Sequence, residues 1–196
     1  SDSSAAIVAL KSGAIDALQA PPSAQAKDLR STSGIELSVR PGYGNYQYLV
    51  STTKKPFDDP RVRKALSLAL DREAFVAPTN GLSKPTISMW PPASVAYTPN
   101  NDHPTFDLDR AKALLAEAGV SNLKLDITYS QQAQPEYATF APKYQADLAK
   151  IGVTATLNNV EGTDRNTRML NGQYTGLITN SYAFSNLDPA LLFRAD

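Results

Sequence analysis

The sequence predicts an α/β domain built on a mixed sheet, an α+β arrangement in which helices alternate with strands. Three observations carry this expectation. A helical pattern ends at a glycine and runs into a β-prone stretch five times, around Gly13, Gly34, Gly119, Gly152 and Gly172. Glycine suits the position after a helix because it enters the left-handed conformation without steric cost. Two helices carry both an explicit cap and an explicit apolar stripe, and one strand alternates so that one of its faces is polar.

Taken in chain order, IVALKSGAIDAL and KDLRSTSGIELSVR supply the first two junctions, the second predicting a strand over 35–40. Tyr43, Tyr46 and Tyr48 cluster after that strand, and Gly42-Tyr43-Gly44 reads as a turn between two strands. Next, Asp59 stands at an N-cap with Pro60 at the first helical position. Val62, Ala65, Leu66, Ala69 and Leu70 then recur at the spacing of a buried stripe. Arg61, Arg63 and Lys64 are expected to face solvent or brace neighbouring loops. Residues 77–106 hold six prolines and no sustained period, predicting one long irregular connection. Asp107 caps a helix striped by Leu108, Ala111, Leu114, Leu115 and Ala118 and closed by Gly119. In the strand that follows, Leu123, Leu125 and Ile127 alternate with polar residues, so it should be half exposed or at a sheet edge. Tyr137, Phe140, Ala141, Tyr144 and Leu148 mark another helix, in which Pro142 must either cause a kink or sit in the first turn. Val153, Ala155 and Leu157 predict a strand, and a last one is expected over 175–179.

Length and composition bound the rest. A chain of 196 residues suits one domain burying roughly 70% of its unfolded surface. Nineteen basic residues balance nineteen acidic ones, so no net field gathers nucleic acid or an anionic membrane. The absence of cysteine excludes disulfides, thiolate metal sites and a cysteine nucleophile. No apolar run approaches a membrane span, and the Ser1-Asp2-Ser3-Ser4 start has no signal-peptide pattern. On that reading the protein is either cytosolic or has had its leader removed.

Catalytic and cofactor motifs are sparse. The single histidine, His103, lies in NNDHPTF without a second imidazole, and reads as a surface loop residue rather than a metal ligand. There is no G-x-S-x-G elbow and no phosphate-binding GK[ST], and Gln47 occupies the third glycine position after Gly42-Tyr43-Gly44. The expectation is therefore no metal, no cofactor and no catalytic residues. Aromatic residues say more. Tyr129 ends one predicted strand, Tyr182 and Phe184 follow another, and Trp90 sits in the proline-rich connection. Ligands of open α/β sheets bind beyond strand ends, where aromatic faces and amides such as Asn180 suit a neutral or amphipathic solute.

VSTTKKPFDDPRVRKALSLALDREAFV resembles the signature of the family 5 extracellular solute-binding proteins, the peptide, oligopeptide and nickel receptors of ABC importers. The matching elements are Pro56-Phe57-Asp58-Asp59, Arg61-Val62-Arg63 and Leu70-Asp71-Arg72. ALKSGAIDAL, FDLDRAKALLAEAG, DLAKIGVTATL and NGQYTGLITNSYAFSNLDP are similar to further family segments, in the family's order. The resemblance implies one lobe of a two-lobed periplasmic-binding-protein-like fold (type II, cluster C). Residues 1–196 would form a single domain, most of the C-terminal lobe, with the N-terminal lobe missing. It further implies a bacterial, extracytoplasmic receptor, periplasmic or lipid-anchored, that encloses a small-molecule or peptide ligand and delivers it to an ABC permease without being an enzyme. Tyr182, Phe184, Ser185, Asn180 and Trp90, with Tyr129, are the expected ligand-facing residues.

Two departures bear on the ligand. Ser51 stands where the family has Asn, and Ser185 stands where oligopeptide receptors carry the acid that pairs with the peptide's α-amino group, unless Asp188 serves. A desolvated ammonium without that partner would lose several kcal/mol, so a sugar, another neutral solute or a blocked peptide stands beside a free peptide. Other classes are a sensor or interaction module on the same fold, and a hydrolase using Asp58 and Asp59 or Glu161 and Asp164. The first pair is better explained as helix-start residues favoured by the macrodipole.

Overall fold

A computed structural model describes residues 3–19, 21, 25–39, 44–79 and 81–183. The chain separates into two compact units, Ser1–Pro41 with Glu73–Pro85, and Gly42–Arg72 with Thr86–Asp196. The first contains α1 (Ser3–Lys11), α2 (Ala26–Ser31) and all but the first residue of α4 (Arg72–Val76). Among its described residues, Ile7, Leu29 and Phe75 are the buried large side chains. Thr79 closes the turn after α4, its hydroxyl donating to Val76 O at 2.7 Å and accepting from Ser83 N at 3.1 Å. The strand expected over 35–40 does not form: residues 35–39 join no ladder, and Val39 is 50% exposed. Alternation can mark a half-buried face, but a strand also needs a partner's backbone, and the described strands all belong to the second unit.

The second unit holds β1 (Gly44–Val50), α3 (Pro60–Leu68), α5 (Leu108–Glu117), β2 (Lys124–Tyr129), α6 (Tyr137–Lys150), β3 (Thr154–Asn159), α7 (Gly162–Leu170) and β4 (Leu177–Ala183). The strands form one sheet in the order β1-β4-β2-β3. β1 runs antiparallel to β4, whereas β2 is parallel to both β3 and β4, so the sheet is mixed as the sequence predicts. β2 is interior rather than at an edge; only its first half shows an exposed polar side, at Lys124 and the half-buried Asp126. β4 runs further than the expected 175–179, because seven residues of β1 pair with it from Gly44↔Ala183 to Val50↔Leu177. Asn180 and Tyr182 therefore lie within a strand and not after it.

Caps and stripes position the helices. Asp59 and Asp107 accept from Arg61 N and Arg110 N, both at 2.8 Å, which starts α3 and α5 where the sequence places them. Arg61 also donates to Glu117 O at 2.7 Å, and Arg63 to Phe57 O at 2.8 Å, so these arginines brace backbone. Val62, Ala65, Leu66 and Ala69 are buried. α6 is continuous through Pro142, which lies in its second turn with an exposed side chain, so the lost N–H falls on the solvent side. Tyr144 donates to Leu66 O at 2.7 Å, tying α6 to α3. Tyr137 lies 2.7 Å from Gln47 O and 2.9 Å from Asn180 O, tying α6 to both antiparallel strands. All five glycines of the predicted junctions take positive φ, and the last three lead into β2, β3 and β4.

Candidate functional site

The chain reverses direction across the sheet next to β2: it passes from β2 outward to β3, then back beyond β2 to β4. In such sheets the crevice outside the carboxyl ends of the strands at the reversal is where ligands bind. Thr128, Ser130, Gln134, Arg165, Thr179 and Asn180 gather there, six of the nine buried polar or charged residues among those described. Burial of polar groups is costly unless they are hydrogen-bonded, so this concentration calls for a physical account.

The geometry supplies one. The β2–β4 ladder ends at Thr128↔Ile178, leaving Thr179 O beyond it without a strand partner on that side. Arg165, in the first turn of α7, fills the position and donates to Thr179 O at 2.6 Å. From the segment leading into α6, Gln134 donates to Ser181 Oγ at 2.6 Å and accepts from Thr179 Oγ1 at 3.3 Å. Ser130 Oγ accepts from Ala133 N at 3.3 Å, and a Cβ on Gly162 would come within 3.1 Å of Ala133 Cβ, so the two loops pass closely. Thr179, Gln134 and Ser181 thus form one network, and Arg165 adds a guanidinium held by burial below its ordinary pKa.

Beside the crevice lies an amide strip. Strand alternation and the β1–β4 register put Asn45, Gln47 and Asn180 on one face, with Tyr46, Tyr48 and Thr179 on the other. Asn45 donates to Met89 O at 2.9 Å and to Ser88 O at 3.3 Å, and Gln47 donates to Asn45 Oδ1 at 2.7 Å. The loop carrying Trp90 is thereby fastened to the strand residue opposite Tyr182. On the other face, Tyr46, Tyr48, Tyr137 and Phe140 meet edge to face, with ring centroids 5.4 to 6.1 Å apart. Burial, with Glu136 alongside, pushes the Tyr46 phenol up to about 12, and burial raises Tyr48, Tyr137 and Tyr144 as well, so all four stay neutral at physiological pH.

Of the expected ligand-facing residues, Asn180 is 6% exposed and belongs to both crevice and strip. Trp90 is half-buried in the tethered loop, and the backbone of Tyr182 pairs with Asn45. Tyr129 ends β2 at 8% exposure, but Ile127↔Leu177 puts it on the face of Tyr48, away from Asn180. Phe184, Ser185 and Asp188 lie outside the described residues, as do Gly42 and Tyr43. His103 is exposed, and no cluster of His, Cys, Asp or Glu among the described residues could hold a metal.

Asn45, Gln47, Gln134 and Arg165 were not singled out by sequence reasoning. Alternation of Asn45 and Gln47 with Tyr46 and Tyr48 signals a strand with one polar face. For Arg165 the signal is its place one turn before Met169, on the same face of α7, where it is the helix's only buried residue. The carboxylates considered for hydrolysis stand apart from the network. Asp59 caps α3 and pairs with Arg61 at 2.6 Å, and Asp164 pairs with Arg168 at 3.0 Å. Two open depressions, of about 630 and 480 Å³, both reach Val120 before β2, at the end of the strand opposite to the crevice. The six buried residues supply hydroxyls, amides and one guanidinium, with no acid, imidazole or thiol among them.

Residues 1–195 match the family model described as bacterial extracellular solute-binding proteins, family 5 Middle. The chain belongs to family 5 of these solute-binding proteins. Among family 5 relatives, the probable ABC transporter periplasmic-binding protein SapA of Escherichia coli K12 is 30% identical over 190 residues, covering 94% of this chain and 34% of SapA. The chain spans about a third of the length of the curated relatives it matches. The periplasmic binding protein DppA of Helicobacter pylori, solved with the peptide STSA, superposes with a TM-score of 0.83 at 27% identity, over 96% of this chain and 36% of DppA. The PBP AgaA from A. tumefaciens R10, solved with agropinic acid, gives a TM-score of 0.79 at 26% identity, over 93% and 37%. The fold is thus of the periplasmic-binding-protein type, and the family consists of transporter binding proteins.

Proposed function

We propose that this chain is the greater part of one lobe, the C-terminal one, of a receptor for an ABC importer. The receptor encloses a peptide or another small solute reversibly, outside the cytoplasm, and hands it unchanged to a membrane permease. The observation that carries this reading is the buried polar network at the carboxyl ends of β2 and β4, bordered by the amide strip and the Trp90 loop. Names of relatives support it, since these include a peptide transport periplasmic protein, a dipeptide-binding protein and a PBP solved with agropinic acid. Asn180, Trp90 and Tyr182 line the ligand side, followed along the chain by Phe184 and Ser185, while Tyr129 supports the strand ends from the opposite face. A second lobe completes the enclosure by hinge closure.

A thermal-shift screen of the complete protein tests this. Dipeptides, longer peptides, C-terminally blocked peptides, opine acids and sugars are the probes. At least one class should raise Tm in a saturable manner, as expected when a ligand binds only the folded state. A complete screen without a single saturable shift would remove the receptor reading and favour a module that uses the fold without transport.

A further inference from the structure

Arg165 is 6% exposed, yet none of the ion pairs among the described residues includes it. Its contacts are neutral: one terminal nitrogen donates to Thr179 O at 2.6 Å and the other to Asn166 Oδ1 at 2.6 Å. The Nε–H is buried and has no partner. A buried guanidinium with an unmet donor and no counter-charge is a costly arrangement, and hydrophobic packing at the foot of α7 would need no such group. The unused donor and the one taken by Asn166 form the side-on edge of the guanidinium, two parallel N–H bonds that match a planar oxyanion. Asn166 itself is exposed, so its side chain can move off that edge without disturbing the core.

We infer that Arg165 recognises a carboxylate of the solute, received at the Nε edge in place of Asn166, while Thr179 O keeps the guanidinium aimed. The inference rests on the receptor reading and names what that receptor selects: a ligand carrying a carboxylate. Such a group comes from the end of a free peptide or from an opine-type acid, and both sources use the same contact.

Calorimetry on the complete protein decides it, with Ala-Ala and Met-Leu, each as free acid and as C-terminal amide, and agropinic acid as the non-peptide carboxylate. Wild type should bind at least one free acid, and a peptide acid that binds should do so about a hundredfold more tightly than its amide, the scale of a lost buried charge partner. Arg165→Gln should remove the preference by weakening the acid far more than the amide. Arg165→Lys should restore only part of it, because an ammonium keeps the charge but not the fork. Asn166→Ala, at an exposed position, should tighten the acid a few-fold and spare the amide, which keeps the test open if Arg165→Gln does not fold. Equal binding of acid and amide by wild type overturns the inference and leaves the receptor intact. A lowered Tm in Arg165→Gln with an unchanged acid preference also overturns it, assigning Arg165 to structure alone. Binding of agropinic acid but neither dipeptide, lost in Arg165→Gln, supports the inference with the non-peptide source. No saturable binding by any carboxylate probe overturns it too, and the wider screen above then reports on the receptor separately.

Discussion

At the scale of single residues, the irregular stretch after Pro85 is organised by one carboxylate. Asp102 accepts from Thr86 Oγ1 at 2.8 Å, Ile87 N at 2.7 Å, Ser88 N at 3.2 Å and Tyr97 OH at 3.1 Å. Burial pushes its pKa up, but the donors, led by Ile87 N, outweigh that and leave it below the ordinary aspartate value. A native pKa below the unfolded one adds stability that is present above about pH 3.9 and lost as pH falls through the native value. Asp102→Asn should therefore lower Tm at pH 7 and make the acid limb of a Tm-against-pH curve shallower; an unchanged limb would show that the donors do not favour the charged form. Gly119 is a second residue whose role is physical rather than chemical. At φ +69° with nothing within 4 Å of an added Cβ, Gly119→Ala should cost about 1 kcal/mol, all of it conformational, measured by denaturant unfolding. The glycine was legible in the sequence because its conformation is intrinsic to it. Asp102 was not, since its donors come from up to sixteen residues away.

Among the elements, those legible from sequence carry their instructions locally. α3 and α5 begin at Asp59 and Asp107 because an N-cap, a following helix former and an apolar stripe sit within one turn of each other. The full extents of β1 and β4 were not legible, because each is set by the other across 127 to 139 residues, from Val50↔Leu177 to Gly44↔Ala183. The same holds for the strand expected over 35–40, whose residues 35–39 have no ladder partner among the described residues. Pro142 shows a third case: the helix tolerates it because the lost donor faces solvent and the opposite face is fastened by Tyr137 and Tyr144. Tyr137→Phe keeps the ring contacts and removes the phenol that reaches Gln47 O and Asn180 O. It should cost about 1 to 2 kcal/mol in chemical denaturation and speed amide exchange in β4 more than in β3. Equal exchange in both strands would mean that the phenol does not hold the β1–β4 pair.

For the whole molecule, the family was legible in the Pro56–Arg72 segment, whose charged residues have structural duties in this fold. Arg72 donates to Ser67 O at 2.9 Å at the end of α3, and Asp71 lies 3.4 Å from Lys143 of α6. The segment that identifies the chain is thus distinct from the crevice that would meet a solute. Asn180, Trp90 and Tyr182 could be suspected from residue type and position, whereas Arg165 and Gln134 emerge only when β2 diverges from β4 and leaves carbonyls to satisfy. Because the chain spans about a third of its relatives' length, the proposed enclosure has to be tested on the complete protein. The most direct test of the central claim is calorimetric titration of that protein with the solute class selected by thermal shift, followed by analysis of the released solute. The account predicts saturable one-to-one binding with the solute recovered chemically intact; conversion of the solute, or heat that never saturates, would contradict it.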